Sequence, residues 1–319
     1  MARRLMMIRR GLACAAEYIE GAEILADSAD QRAQVLYAVG GLYGNHVALD
    51  ALEGLVRSDP NDARVVLNGD FNFFNASRAS FELVNTRIRA LGWTPTAGNI
   101  ERELAANGAG CGCAYPPQVP AEVGIRAAEI VARLQAAAAD SEHLEWLGRL
   151  PGRSTWSVGA SRIAVIHGDP DCLNGWALAA ESLTDIWGTT PPRLVDEYFD
   201  RSNVDVIAAT HTCLAYLYGD ERLVVNNGSA GMANFRDETY GVVTRIAAPD
   251  AEPLPEPAAL YAATLPTGTK VEAIPLLFDV SEWIDHFLRI WPPGSPAHVS
   301  YFDRIQRGVP HWPLDRARL

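Results

Sequence analysis

Short apolar segments that end directly in glycine, aspartate, asparagine or histidine recur along this chain of 319 residues. The segments have the length and composition of buried strands, and stretches with helical periodicity separate them. Such alternation predicts an α/β fold. In α/β sheets the carboxyl ends of the strands face a common crevice, so polar residues that several strands place there build one site. The sequence therefore predicts an α/β protein with its functional site at the strand ends.

Five groups of residues at these strand ends and the following turns stand in a specific order. They are Gly40-Gly41-Leu42-Tyr43-Gly44-Asn45, Gly69-Asp70, Gly98-Asn99-Ile100-Glu101, His167-Gly168 and Thr210-His211-Thr212-Cys213. In this order they resemble the five motifs of the calcineurin-like metallophosphoesterases, which read D-x-H-G-N, G-D, G-N-H-[DE], H-G and G-H-T-H. The sequence N-N-G-S at residues 226–229 resembles a further strand-end motif of that family, N-x-G-S. A single Gly-Asp is common, but five motifs in order are specific.

The resemblance covers about residues 33–235 and implies the architecture of the family. We expect an α/β protein of the α+β type, a four-layer α/β/β/α sandwich in which helices cover two mixed sheets. Residues 1–32 are predicted to form an N-terminal helical extension and residues 33–248 the metallophosphoesterase-like core. A helical insertion is expected at about residues 105–150, and residues 249–319 are expected to form a C-terminal extension that packs on the core.

The resemblance also implies a metal centre. In the family the motifs hold two metal ions, and the ligand positions of one ion are matched here by Asp70, Asn99, His167 and His211. Asp70 matches the ligand that bridges the two ions. Carboxylate, amide and imidazole groups form a nitrogen and oxygen shell that suits Zn, Mn or Fe. We therefore expect one divalent or trivalent metal ion as the cofactor.

The ligand positions of the other ion are replaced. Gly41 stands where the family has Asp, Tyr43 where it has His, and Cys213 where it has the last His. Because all three replacements fall on one ion, we expect one metal, with a mixed-ligand pair involving Tyr43 and Cys213 as the alternative. Tyr43 either binds a ferric ion or fills the vacated space, and filling is favoured because phenolate ligation needs a strong Lewis acid. Cys213 is either a thiolate ligand, a nucleophile or a small buried thiol.

The third motif also departs from the family. Ile100 stands where the family often has a catalytic His that protonates the leaving group, and an isoleucine cannot donate a proton. Glu101 keeps the acidic position whose usual role is to orient that His. The sequence leaves Glu101 either free for acid–base chemistry or merely solvated.

Two further groups of residues are weaker candidates. Cys111 and Cys113 lie in a glycine- and proline-rich loop and would either chelate a soft metal, take part in redox chemistry or have no function. Five cysteines are an odd number for a disulfide framework, so we expect reduced thiols and a cytoplasmic location. Possible substrate contacts near the motifs are Asn45, Asn72, Asn75 and Arg78.

Composition limits the partners. Lys+Arg 27 against Asp+Glu 39 gives a net charge of -12, which disfavours nucleic acid and anionic membranes. No apolar stretch reaches the roughly 20 residues of a spanning helix. The expected partner is a small-molecule substrate, and the sequence makes no prediction about the oligomeric state.

The motifs thus predict a metal-dependent hydrolase that acts on a small phosphoester-like substrate with one retained metal site. The alternative is a catalytically inactive scaffold or ligand-binding protein of the same fold, a change of use that the retromer subunit of this superfamily illustrates. An inactive protein should lose ligands regardless of the ion that they serve. Since one complete ligand set persists here, the sequence favours a metal-binding enzyme.

Overall fold

The structure is a computed structural model that describes residues 18–28 and 30–319. Most of the predicted N-terminal extension, residues 1–17 and residue 29, lies outside the described residues. The described part of that segment contains helix α1 (Glu23–Asp27) and strand β1 (Gln31–Ala33), and β1 pairs in parallel with a strand of the core.

Strands and helices alternate along the rest of the chain. The further strands are β2 (Val35–Val39), β3 (Ala63–Asn68), β4 (Thr94–Thr96), β5 (Arg153–Val158), β6 (Ser161–Ile166), β7 (Val206–Ala209), β8 (Tyr216–Tyr218), β9 (Leu223–Asn226), β10 (Gly241–Ala247), β11 (Tyr261–Thr264) and β12 (Lys270–Leu276). The further helices are α2 (His46–Ser58), α3 (Arg78–Ala90), α4 (Asn99–Ala106), α5 (Ala121–Ala138), α6 (His143–Gly148), α7 (Ala180–Leu183), α8 (Pro192–Ser202), α9 (Val280–Ile290) and α10 (Pro296–Arg307).

The described strands form two mixed sheets of six strands each. The first sheet has the order β11-β12-β10-β2-β3-β4, in which β2, β3 and β4 are parallel and β10 and β12 are antiparallel to their neighbours. The second has the order β1-β5-β6-β7-β9-β8, with β6, β7 and β9 parallel. The predicted α/β sandwich of two mixed sheets is confirmed.

Alternate residues of the central strands face different layers. In β2, Val35, Tyr37 and Val39 pack with helices α2 and α3, whereas Leu36 and Ala38 pack against the second sheet. Strand β6 alternates in the same way between the first sheet and helix α8. A sheet buried on both faces needs apolar residues at every position, which explains why the strands read as continuous apolar runs in the sequence.

The C-terminal segment takes part in the core sheet. Strand β12 pairs with β10 along its whole length, and β11 extends the sheet by one more strand. Helix α10 then packs on the helical segment α5. Residues in the predicted C-terminal extension therefore complete the first sheet, and α10 reaches the functional site.

Within the ranges that the structure describes, we find no helix whose length and apolar character would let it cross a membrane.

A buried ion-pair network ties β10 to its surroundings. The Arg245 guanidinium, 1% exposed, donates to Asp59 at 2.7 Å and to Glu272 at 2.7 Å, and the Tyr37 hydroxyl donates to Asp59 at 2.7 Å. Burial alone would raise the pKa of Asp59, but the hydrogen bonds from Arg245, Asn61 and Tyr37 outweigh it and lower that pKa. The charged form of Asp59 is therefore stabilised by folding.

We predict that Asp59→Asn destabilises the protein by about 3–5 kcal/mol at pH 7, because it leaves Arg245 with an incomplete set of buried partners. A carboxylate with a lowered folded-state pKa stabilises the fold above its unfolded pKa and loses that contribution as the pH falls through the folded value. The difference between wild type and variant should therefore shrink below about pH 4. Urea unfolding between pH 7 and 3 measures it, with the exposed Asp62→Asn as the control. A difference that stays constant over this range would contradict the network's role.

Candidate metal centre

The predicted ligands are placed by three strand ends and one helix start. Asp70 follows β3, His167 follows β6, and His211 follows β7, while Asn99 is the first residue of α4. Because β6 and β7 are parallel neighbours, their carboxyl ends lie side by side. The two sheets face each other, so the end of β3 meets the ends of β6 and β7 at one edge of the sandwich.

The turn after β3 requires glycine. Gly69 and Asp70 both have left-handed backbone conformations, with φ of +76° and +53°. A Cβ atom on Gly69 would lie 2.4 Å from the backbone nitrogen of Gly98 and 2.8 Å from Nδ1 of His167. The absence of that Cβ lets the Asp70 loop, the start of α4 and the His167 ring approach one another.

Four ligand atoms converge at this edge. The Nε2 atom of His167 lies 3.3 Å from Oδ2 of Asp70, 3.1 Å from Oδ1 of Asn99 and 3.3 Å from Nδ1 of His211. The Nδ2 group of Asn99 donates to the carbonyl of Cys111 at 2.7 Å. This bond orients the amide so that its Oδ1 atom faces His167. We call Asp70, Asn99, His167 and His211 the four-donor cluster.

Both histidines in the cluster are oriented from outside it. His167 donates from Nδ1 to the carbonyl of Asn68 at 2.9 Å, and His211 donates from Nε2 to the carbonyl of Cys113 at 3.0 Å. These bonds place a proton on each outer nitrogen. The inner Nδ1 of His211 then carries a lone pair, and the inner Nε2 of His167 carries one whenever the ring is neutral. Metal-ligating histidines are held in this way by backbone carbonyls or carboxylates.

The geometry of the cluster fits a metal ion. With His167 neutral, four lone pairs face one another, and a cation between them relieves their repulsion. Without a metal, a proton on Nε2 of His167 takes that place beside Asp70. Ligand bonds of about 2.0–2.2 Å place neighbouring donor atoms about 3–3.4 Å apart, and the separations measured around His167 lie in that range. Among the described residues, Asp70, His167 and His211 are the only group of three or more His, Cys, Asp or Glu side chains close enough to share an ion.

The electrostatics of the cluster agree with this fit. Burial would raise the pKa of Asp70, but His167 outweighs burial and lowers it, so Asp70 is a carboxylate. Burial and then the charge of His167 lower the pKa of His211 to about 4, so its imidazole is neutral at physiological pH. Carboxylate and neutral imidazole are the protonation states that bind metals. Burial would lower the pKa of His167, but Asp70 outweighs burial and raises it, so metal binding at this ring displaces a proton.

Glu101 holds the Asp70 loop in place. It is fully buried, and its carboxylate accepts hydrogen bonds from the backbone N–H groups of Asp70 at 2.7 Å, Phe71 at 3.1 Å and Gly98 at 3.1 Å. Burial, followed by the Asp70 charge, raises its pKa to about 7. The expectation of a solvated Glu101 is wrong, because the side chain joins two loops. With both oxygens engaged, it acts as a positioning residue.

Tyr43 occupies the space next to Gly41. A Cβ atom on Gly41 would lie 2.6 Å from Cζ of the Tyr43 ring, so the ring covers the position from which an aspartate would project. The Tyr43 hydroxyl contacts the Cys213 thiol. Burial is the main cause that raises the pKa of Tyr43 well above its usual value and that of Cys213 to about 11. A neutral phenol and a neutral thiol thus fill the space beside Gly41.

A pocket of about 170 Å³ opens beside the cluster. Its walls are mostly apolar and aromatic, and it is lined by Tyr43, Asp70, Phe73, Asn99, Ile100, Cys113, Tyr115, Val123, Trp176, His211, Thr212, Cys213, Met232, Tyr301 and Arg304. This volume is below the range of about 300–1,000 Å³ found for drug-sized ligands. The pocket therefore suits a small ligand.

Arg304 is a site residue that the motifs do not reveal. It lies on α10. Among the described residues that line the pocket, it is the one lysine or arginine. Its Nε donates to the carbonyl of Ala233 at 2.9 Å and its Nη2 to that of Cys213 at 2.7 Å. Because a guanidinium has five N–H donors, these two bonds fix its position and leave donors for a ligand.

The four residues considered as substrate contacts do not line this pocket. Asn45 caps helix α2 through the backbone N–H of Ala48. Asn75 donates to the side chain of Asn72 at 3.1 Å inside the core. Arg78 pairs with a glutamate of its own helix. The buried asparagines, Asn45, Asn72 and Asn75, hydrogen-bond within the loops around the site, and Arg78 is exposed on α3.

The structure joins Cys111 to Cys113 by a disulfide. The expectation of reduced thiols is wrong for this pair, because the two side chains of the tight loop point towards each other. It is also wrong for Cys172, which is disulfide-bonded too. In the disulfide of Cys111 and Cys113, neither sulfur is a thiolate ligand. The loop still reaches the cluster through its backbone carbonyls. Cys213 is a free thiol.

Comparisons with known proteins bear on the fold. No protein-family model matches the chain, and no curated protein matches it either. A hypothetical protein from Pyrococcus horikoshii superposes with a TM-score of 0.55 at 13% identity, over 88% of this chain and 99% of that one. A metallophosphoesterase from Sphaerobacter thermophilus superposes with a TM-score of 0.50 at 15% identity, over 86% of this chain and 100% of that one. The calcineurin-like metallophosphoesterase fold is therefore confirmed.

We predict that Asp70→Ala and His167→Ala each abolish metal binding, because each removes a charged or imidazole donor from a four-membered shell. Plasma mass spectrometry after supplementation with Mn, Zn or Fe should give about one equivalent for the wild type. Asp169→Ala, which changes a buried carboxylate close to His167 in sequence, should keep it. Metal retained at wild-type level by both cluster variants would overturn the ligand assignment.

Proposed function

We propose that this protein is a one-metal hydrolase of small phosphoesters. The observation that carries the proposal is the four-donor cluster, in which every lone pair faces inwards and each amide or imidazole is oriented from outside. A cluster kept in this form at the strand ends of a metallophosphoesterase fold supports a bound ion and not merely a filled core.

Different residues of the chain would hold the metal, bind the phosphoryl group and stabilise the charge of the transition state. When bound in the cluster, a metal would act as a Lewis acid towards a phosphoryl oxygen or a water molecule. Arg304 binds the phosphoryl oxygens and stabilises the charge that they gain in the transition state. The phenol of Tyr43, which is neutral, donates a hydrogen bond to the phosphoryl group. It does so from the side where the family's other ion would lie. Glu101 accepts from the backbone N–H groups of Asp70 and Gly98 and so keeps the Asp70 loop next to the start of the helix that carries Asn99.

The pocket also indicates the leaving group. Ile100 lines the pocket at the position where the family often has its proton-donating His. Without a general acid, the reaction favours leaving groups that depart as stable anions. The aromatic rings of Tyr115, Trp176 and Tyr301 line the same pocket and suit a flat group. We therefore propose phosphoesters with a small, planar and acidic leaving group as the substrate class.

We keep the proposal from the sequence that the partner is a small molecule. The net charge of -12 disfavours both nucleic acid and a membrane as partners. The cytoplasmic location rested partly on reduced thiols, and the disulfide withdraws that support.

The second candidate function is ligand binding without turnover. The observation that favours it is the replacement of the first ion's region by Tyr43 and Cys213, which removes half of a two-metal centre. This candidate predicts metal binding without hydrolysis.

We predict that the metal-loaded protein hydrolyses p-nitrophenyl phosphate much faster than glycerol phosphate, because it has no general acid for the alkoxide. Ile100→His should lower the ratio of the two hydrolysis rates by about 10²-fold, because the histidine supplies that acid. Ile100→Leu should leave the ratio unchanged. Initial rates with Mn, Zn and Fe measure both effects. Equal wild-type rates for the two esters would contradict the mechanism, and no turnover of either ester with one metal bound would favour the second candidate.

Arg304→Met should lower kcat by about 10²–10³-fold, because one charged donor to the phosphoryl group is lost. Arg307→Met, at an exposed position on the same helix, is the control. Metal content should stay at the wild-type level in both variants, since neither residue belongs to the four-donor cluster. A kcat unchanged in Arg304→Met would remove this residue from the mechanism.

A further inference from the structure

The loop of Cys111, Gly112 and Cys113, the Cys-Gly-Cys loop, is tied to the metal centre by its backbone. The carbonyl of Cys111 accepts from Nδ2 of Asn99 at 2.7 Å, and the carbonyl of Cys113 accepts from Nε2 of His211 at 3.0 Å. These two bonds orient two of the four donors. The loop therefore sets the direction in which half of the cluster points.

Further bonds connect the same loop to the walls of the pocket. The Cys113 carbonyl also accepts from the indole N–H of Trp176 at 2.9 Å. The Gly112 carbonyl accepts from Nδ2 of Asn174 at 2.6 Å. Every carbonyl of the loop is thus engaged by a side chain in or beside the site, so a change in the loop's shape reaches the cluster directly.

The disulfide is the covalent element that shapes this loop. The loop lies between helices α4 and α5, in a segment without a helix or strand. Gly112 and Ala114 have left-handed conformations, with φ of +61° and +47°. For Ala114 this conformation is unfavourable and has to be imposed by its surroundings. The bond between Cys111 and Cys113 spans the same turn and constrains it.

We propose that the Cys111–Cys113 disulfide is a reversible redox site that controls the metal affinity of the four-donor cluster. This inference rests on the proposed metal centre. In the reductive step a dithiol delivers two electrons and two protons. The S–S bond breaks, Cys111 and Cys113 become thiols, and the reductant becomes a disulfide.

Reduction acts on the cluster through the loop. Two unbonded sulfur atoms cannot approach as closely as the bonded pair, so the turn has to open. The carbonyls of Cys111 and Cys113 then rotate away from Asn99 and His211. Loss of such outer hydrogen bonds costs about 10–100-fold in metal affinity. Because Cys113 lines the pocket, a small reductant has a route to the bond.

The test measures Mn²⁺ affinity by isothermal titration calorimetry in two redox states of the whole chain. One sample is kept oxidised, and the other is reduced with a phosphine that is then removed. Reduction should weaken Mn²⁺ binding by about 10–100-fold, and reoxidation should restore it. The double variant Cys111→Ser/Cys113→Ser should bind weakly in both states. Cys172→Ala, at a cysteine outside this pair, should keep the redox response.

Alkylation followed by mass spectrometry reports the bond itself and should find Cys111 and Cys113 protected before reduction. Equal or tighter Mn²⁺ binding after reduction would overturn the inference, and so would free thiols at both positions in the oxidised sample. If Mn²⁺ binds in neither state, the proposed metal centre fails. If it binds equally in both, only the redox inference fails.

Discussion

The convergence of four lone pairs at one edge of the sandwich is the constraint on which the site depends. Acceptors packed together in a buried space repel one another unless a cation joins them. The surrounding structure nevertheless enforces this arrangement, through carbonyls behind both histidines and behind the amide of Asn99. Glu101 adds a fourth support by holding the Asp70 loop through its backbone. The outer hydrogen bonds thus hold the four donor atoms in an arrangement that a bound cation stabilises.

Tyr43 and Cys213 form a neutral contact beside the four-donor cluster. The absence of a side chain at Gly41 leaves room for the ring of Tyr43, and the Tyr43 hydroxyl contacts Cys213. Gly41, Tyr43 and Cys213 therefore form one packing arrangement. Because burial keeps the phenol and the thiol protonated, neither of these two side chains brings a negative charge that would hold a second ion.

Much of the fold and the core of the site follow from the sequence for a physical reason. Asp70, His167 and His211 come directly after apolar strands, and strand ends meet at one edge of a sheet, so local pattern is enough to place them. Arg304 lies on a C-terminal helix whose approach to the pocket depends on tertiary packing, and no local pattern marks it. The disulfide between Cys111 and Cys113 likewise depends on the shape of one loop. Asn45 lies within a motif, yet its amide is used to cap a helix.

The most direct test of the account is a crystal structure with diffraction data collected at the absorption edge of the bound metal. The account predicts one anomalous peak per chain, within about 2.0–2.2 Å of Oδ2 of Asp70, Oδ1 of Asn99, Nε2 of His167 and Nδ1 of His211. It also predicts no peak between Tyr43 and Cys213. An empty cluster in metal-supplemented crystals, or a metal bound by the Tyr43 and Cys213 side chains, would contradict it.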